Sequence, residues 1–113
     1  MKSDYLVVLV TTPSLEMGQV IARKLVESKH AACVNLITPI HSIYSWQGTI
    51  QEDTETMLVI KTRAVLFEDL ANAVKGLHSY DVPEIIALPI ETGSSKYLDW
   101  IAAETAQPEE RLE

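Results

Sequence analysis

Cys33 and His78 are the two soft donors that stand out in this sequence. A thiolate and an imidazole together suit copper and zinc. Their separation is not a ligand spacing of the C-x-x-C or H-x-x-x-H kind, so only the fold could bring them together. A strong structural metal site wants three or four ligands, and the sequence does not display them. Each residue also has a plainer reading. Cys33 reads as a small buried hydrophobe in a strand, and His78 reads as a histidine capping a helix end. His30 and His41 read as solvated or turn residues. A second group is Lys61, Tyr80 and Glu84, joined by Trp46, Glu52 and Glu55. Charged and aromatic side chains of this kind line small-ligand pockets. Lys61 ends the apolar run Met57–Ile60 and needs a partner if it is buried, with Glu84 the candidate. The same pair reads more simply as a structural ion pair holding one strand to the next. Ser14 and Ser45 have no evident His–Asp partners, and there is no P-loop or G-x-G-x-x-G. The expectation is therefore a binding protein, not an enzyme, with no required cofactor.

Charge and composition narrow the partners. The chain has 113 residues, 16 acids against 9 Lys and Arg, and a net charge of -7. Clustered Lys and Arg are absent, which argues against nucleic acid. No apolar run approaches the ~20 residues of a membrane span. A single cysteine excludes an internal disulfide. Met1–Asp4 leads straight into a strand-like run, which reads as a chain without a targeting peptide. These features set a cytoplasmic location as the expectation.

The elements that must position these residues follow from periodicity. Tyr5–Thr11 is a β-favouring run, broken by Pro13, with Ser14 as a helix N-cap. Met17, Val20, Ile21 and Leu25 form a helical apolar face. Ala31–Trp46 and Thr49–Arg63 read as two long strands joined at Gln47-Gly48, where Gly48 supplies a positive φ. Pro39 marks a bulge or an unpaired edge position, so the strand is bent there. Each arm is about 45 Å long at ~3.3 Å per residue, whereas a compact domain of this length is only about 35 Å across. The far end carries Ile40, Ile43, Tyr44, Trp46 and Ile50, and exposed apolar edges invite pairing. The arm therefore implies an oligomer. Leu66, Leu70, Val74 and Leu77, widened by Phe67 and Ala71, make a second helical face. Ile85–Leu88 reads as a short buried strand. Gly93-Ser94-Ser95 starts a last helix holding Tyr97, Leu98 and Ile101, and residues 105–113 read as a frayed acidic tail. The order β-α-β-β-α-β plus a terminal helix predicts one α+β domain over 1–113, a ferredoxin-like sandwich with a long β2–β3 hairpin.

Six motifs in order make the chain resemble a known family. They are Thr11-Thr12-Pro13, Ala31-Ala32-Cys33-Val34-Asn35, Ser42–Gly48, Lys61-Thr62, His78–Ile85 and Tyr97–Trp100. Together they are similar to the CutA family, the divalent-ion tolerance proteins, from about Tyr5 to Trp100. The resemblance implies a ferredoxin-like subunit, a stable homotrimer, and tolerance of copper and other heavy metals. Cys33, His78 and acidic groups are then the candidates for weak metal binding. Two positions depart from the pattern. Ser79 stands where the family usually has Pro, and Val10 stands where some bacterial members carry a cysteine implicated in copper binding. An alternative is a sensor resembling the PII signalling family, with ligand clefts between subunits and recognition by Lys61, Tyr80 and Glu84.

Overall fold

The computed structural model describes residues 3–110. Strand β1 (Tyr5–Thr12) leads to helix α1 (Leu15–Glu27), the long strands β2 (Cys33–Trp46) and β3 (Thr49–Arg63), helix α2 (Phe67–Leu77), strand β4 (Ile85–Pro89) and helix α3 (Ser95–Glu104). The sheet order is β2-β3-β1-β4, with every neighbouring pair antiparallel. This is the ferredoxin-like α+β arrangement expected from the element order.

The local signals explain the boundaries. Ser14 Oγ accepts from Met17 N–H at 3.1 Å and so caps α1. At the hairpin tip Gln47 and Gly48 both have positive φ, 50° and 83°, the geometry of a tight two-residue connection. The pairing of β2 with β3 shifts between Ile37 and Ile40, at the bulge that Pro39 predicts. The hairpin stretches the subunit to 54 × 26 × 22 Å. At its far end Ile43 and Ile50 remain 69% and 71% exposed.

The core lies between the sheet and the first two helices. Val8, Val10, Leu58 and Ile60 meet Ile21, Leu25, Leu70 and Val74, all fully buried. The face of α1 differs from the expectation at one position. Val20 is 54% exposed, and Gly18 is the buried residue instead. A Cβ on Gly18 would meet Leu58 Cδ1 and Thr12 Oγ1 at 3.1 Å, so the helix sits close on the sheet because that position has no side chain. Strand β4 is not buried as expected. Only Ile85 is half-buried against the core, Ala87 is exposed, and Ile86 and Leu88 are each 52% exposed. They pair with Leu9 and Val7 on the sheet face opposite α1 and α2.

The C-terminal segment also departs from expectation. Thr105 is fully buried, and Arg63 holds the chain beyond it. The guanidinium donates Nε to Thr105 Oγ1 at 2.8 Å and pairs with Glu110 at 2.6 Å. Gln107 Nε2 donates to the Lys29 carbonyl at 2.9 Å. Residues 105–110 are therefore docked, while 111–113 of the expected tail lie outside the described residues.

Candidate functional site

The hairpin and the loop after α2 meet over one carboxylate. Glu55 sits on β3 opposite Ile40, just past the bulge, and is only 8% exposed. Pro83 prevents α2 from continuing, so the chain turns at His78–Glu84 to reach β4. That turn brings Tyr80 over the hairpin, where its hydroxyl donates to Glu55 Oε2 at 2.8 Å. Tyr44 on β2 likewise donates its hydroxyl to Asp53 Oδ2.

His78 positions this loop. The Tyr80 backbone N–H can only donate, so His78 Nδ1 accepts from it at 3.1 Å. Nε2 therefore carries the ring proton and donates to the Thr11 carbonyl at 2.7 Å. Both ring nitrogens are engaged. The imidazole and phenol rings lie 4.6 Å apart at 44°.

These elements enclose a cleft of about 840 Å³ lined by Thr11, His41, Tyr44, Trp46, Glu55, Tyr80 and Glu84, among others. Its electrostatics are acidic. Burial, followed by the bond to Glu55, pushes the Tyr80 phenol well above its ordinary value of 10. The bond to Asp53 raises Tyr44 in the same sense. Burial and the nearby Glu55 charge hold the Glu84 carboxyl above its usual value. Glu84 keeps much of its surface in water, so screening tempers this effect.

Trp46, Glu55, Tyr80 and Glu84 thus come together as the sequence suggests. Lys61 and Glu52 do not join them. Lys61 lies six residues along β3 from Glu55, about 20 Å away at ~3.3 Å per residue. Its Nζ donates to Asn35 Oδ1, not to Glu84. The expected Lys61–Glu84 pair is absent, and Arg63–Glu110 is the ion pair among the described residues. Strand alternation places Glu52 on the opposite face from Glu55. Among the cleft residues that the sequence reading did not place there are Thr11, His41, Tyr44 and Asp81, together with Asp53, whose carboxylate receives the Tyr44 hydroxyl. The shared face of Asp53 and Glu55 was available in the alternation, but the overhanging loop was not.

Cys33 and His78 are also apart. Cys33 pairs with Lys61, whose neighbour on β1 is Val7, whereas His78 binds Thr11. Four strand residues, about 13 Å, separate those two levels. Cys33 instead lies near Tyr97 of α3, whose phenol is raised first by burial and then by the neighbouring Cys33. Among the described residues no group of three or more His, Cys, Asp or Glu side chains is gathered to hold a metal ion.

The comparisons extend over almost the whole domain. Residues 6–104 match the family described as CutA1 divalent ion tolerance protein. The chain is 50% identical over 100 residues to the chloroplastic CutA of Arabidopsis thaliana, covering 88% of this chain and 55% of that protein. The solved divalent cation tolerance protein from Thermus thermophilus superposes with a TM-score of 0.89 at 49% identity, covering 90% of this chain and 99% of that one. The periplasmic divalent cation tolerance protein CutA from Archaeoglobus fulgidus gives a TM-score of 0.87 at 42% identity, covering 89% and 98%. These names correct the expectation of a cytoplasmic protein. Close relatives are chloroplastic and periplasmic, so the lone cysteine and the short lead into β1 carry no compartment.

Proposed function

The chain belongs to the CutA1 divalent ion tolerance family, and from that premise we propose that it binds divalent cations, copper among them, weakly, as a homotrimer. The observation that carries this reading is the state of Glu55. It is nine-tenths buried, and one oxygen is taken by Tyr80. Among the described residues no donor reaches Oε1, yet no fully buried side-chain oxygen lacks a partner. Oε1 therefore opens into the cleft, which Glu84 also lines. Carboxylate oxygens facing a cleft draw cations.

In this reading Glu55 and Glu84 are the cation-facing groups. His78 positions Tyr80 instead of ligating, and Cys33 is not needed. Two or so protein ligands per subunit give weak binding. The protein is a binder without a resident cofactor and without turnover of its own. Support for the trimer comes from the apolar sheet face bearing Ile86 and Leu88, together with the bare hairpin end. A closed ring of three would cover both. The comparisons lend no support to a PII-like role.

Calorimetric titration with copper, on the species defined by sedimentation, tests the proposal. Glu55→Gln and Glu84→Gln are expected to weaken binding by about tenfold, ~1.4 kcal/mol. Cys33→Ala and His78→Ala should bind nearly as the parent does. Binding unchanged in both glutamate variants, or lost only in Cys33→Ala, would overturn the assignment. A folded single-chain species at dilute concentration would end the trimer.

A further inference from the structure

We infer that His78 is a pH-operated catch for the loop after α2: its neutral imidazole holds residues 79–84 in place, and its imidazolium releases them. The catch works whatever the cleft binds. The loop has few ties to the body. Among the described residues no backbone–backbone hydrogen bond involves residues 79–84. The Tyr80 N–H is given instead to His78 Nδ1 at 3.1 Å. Side chains make the remaining ties among the described residues, the Tyr80 hydroxyl to Glu55 and Ser79 Oγ to Met17 Sδ. Both bonds of the His78 ring lie within one subunit, so they do not depend on how neighbouring subunits cover the hairpin.

Donor and acceptor counting sets the direction. Nδ1 accepts only while it carries no proton. A proton from solvent turns it into a second donor facing the Tyr80 N–H, and two N–H groups cannot share a bond. One side must give way. Nε2 keeps its proton in both states, and its bond to the Thr11 carbonyl at 2.7 Å becomes charge-assisted. Thr11 is 5% exposed and pairs with Met57 inside the sheet. The ring is therefore pinned on the strand side, and the loop is the side that moves. The tilted Tyr80 ring offers the imidazolium a cation–π contact but no acceptor for the stranded N–H. Tyr80 and Glu84 ride on this loop, so its release loosens the cover over Glu55. The titratable and charged groups of the surrounding elements are Asp53 and Glu55 on β3, His41 and Tyr44 on β2, Lys75 at the end of α2, and Tyr80, Asp81 and Glu84 on the loop. β1 and α1 reach His78 and Ser79 through the uncharged Thr11 and Met17. His41 is the other histidine beside the cleft, so the two have to be separated by experiment.

The test is amide hydrogen exchange on the assembled full-length chain without added metal, at about pH 8 and about pH 5, either side of the range where histidine changes charge. Rates are corrected for the intrinsic effect of pH on exchange. Protection of the segment 79–84 is expected to fall about tenfold at the lower pH, as for a local opening. His78→Asn takes up no proton, and its side-chain oxygen can accept the Tyr80 N–H two residues on, as in an Asx turn. Its protection should be the same at both pH values. His41→Gln should follow the parent. Nitrogen spectra of the parent's imidazole at the higher pH should show Nδ1 bare and Nε2 protonated. Protection that does not change in the parent, an equal fall in His78→Asn, a fall abolished in His41→Gln, or a protonated Nδ1 at the higher pH would each overturn the catch. Should His78→Asn fail to assemble, the parent's exchange and its nitrogen spectra decide. Because no metal is present, none of these outcomes depends on the copper titration.

Discussion

The Tyr80 hydroxyl donates to Glu55 Oε2 at 2.8 Å and ties the loop after α2 to the hairpin across 25 residues of sequence. Glu55 is almost fully buried, so a lost donor leaves a desolvated carboxylate oxygen. Tyr80→Phe keeps the ring and removes only that donor. It is expected to cost about 1 kcal/mol, below the ~1.5–3 kcal/mol of a bond to a charged group because Tyr80 is partly exposed. Urea unfolding of Tyr80→Phe, Glu55→Gln and the double variant checks this. The cycle should give a coupling of about 0.5–1.5 kcal/mol, and no coupling would mean the bond is not made in solution.

The Arg63–Glu110 pair makes a second, pH-dependent prediction. Its guanidinium pulls the Glu110 carboxyl from an ordinary 4.5 down to about 2, with help from the Gln107 N–H. A depressed carboxylate contributes stability above its unfolded value, and that contribution is lost as pH falls through the folded value. The difference in Tm between the parent and Glu110→Gln should therefore persist at pH 5–7 and shrink between about 4.5 and 2. It should also fall with added salt, since the carboxylate side of the pair faces water. A difference unchanged at pH 2 would remove the pair as its cause.

Element order, the tip at Gln47-Gly48 and the bulge at Pro39 were legible because each rests on local physics. Period-2 and period-3.6 patterns, positive φ and the missing proline N–H act within a few residues. Half of the cleft was legible for the same reason, since Trp46 and Glu55 ride on the predicted hairpin. Lys61 was misplaced because an apolar run shows that a lysine is partly covered but not what covers it, and here Asn35 does. His78 carried donor chemistry in the sequence, yet the structure spends both ring nitrogens on Tyr80 and Thr11. The docked segment at 105–110 looked frayed because its anchor, Arg63, lies more than forty residues away. Long-range partners of single polar side chains leave no periodic trace.

Two glycines should respond to alanine with opposite signs. Gly18→Ala gains about 1 kcal/mol of helix propensity. However, its Cβ would press on Leu58 and Thr12 at 3.1 Å and Leu36 at 3.2 Å. Leu58 is fully buried and has little room to yield, and overpacking costs about 1–3 kcal/mol. The expected net is a loss of about 1 kcal/mol. Gly76 near the end of α2 has nothing within 4 Å of an added Cβ. Gly76→Ala should gain about 0.4–1 kcal/mol. Thermal denaturation of the two variants side by side checks the pair. A stabilised Gly18→Ala would show that the helix can lift off the sheet without cost.

Glu84 is held in a position that favours its protonated form, because burial and the Glu55 charge both oppose ionisation. The sign of the consequence is fixed. Below the unfolded value of 4.5 both states carry the proton, and the folded protein loses nothing. As pH rises, the unfolded chain releases that proton first, so stability falls until the folded carboxyl has ionised as well. Glu84→Gln is neutral throughout and escapes this loss. It should melt with the parent near pH 4 and above the parent at pH 7. The gain should stay at or below about 0.5 kcal/mol, as for most exposed positions. A group kept for ligand binding at some cost in stability behaves in this way. A Glu84→Gln variant less stable than the parent at pH 7 would instead make Glu84 a structural carboxylate and remove it from the cation-facing pair.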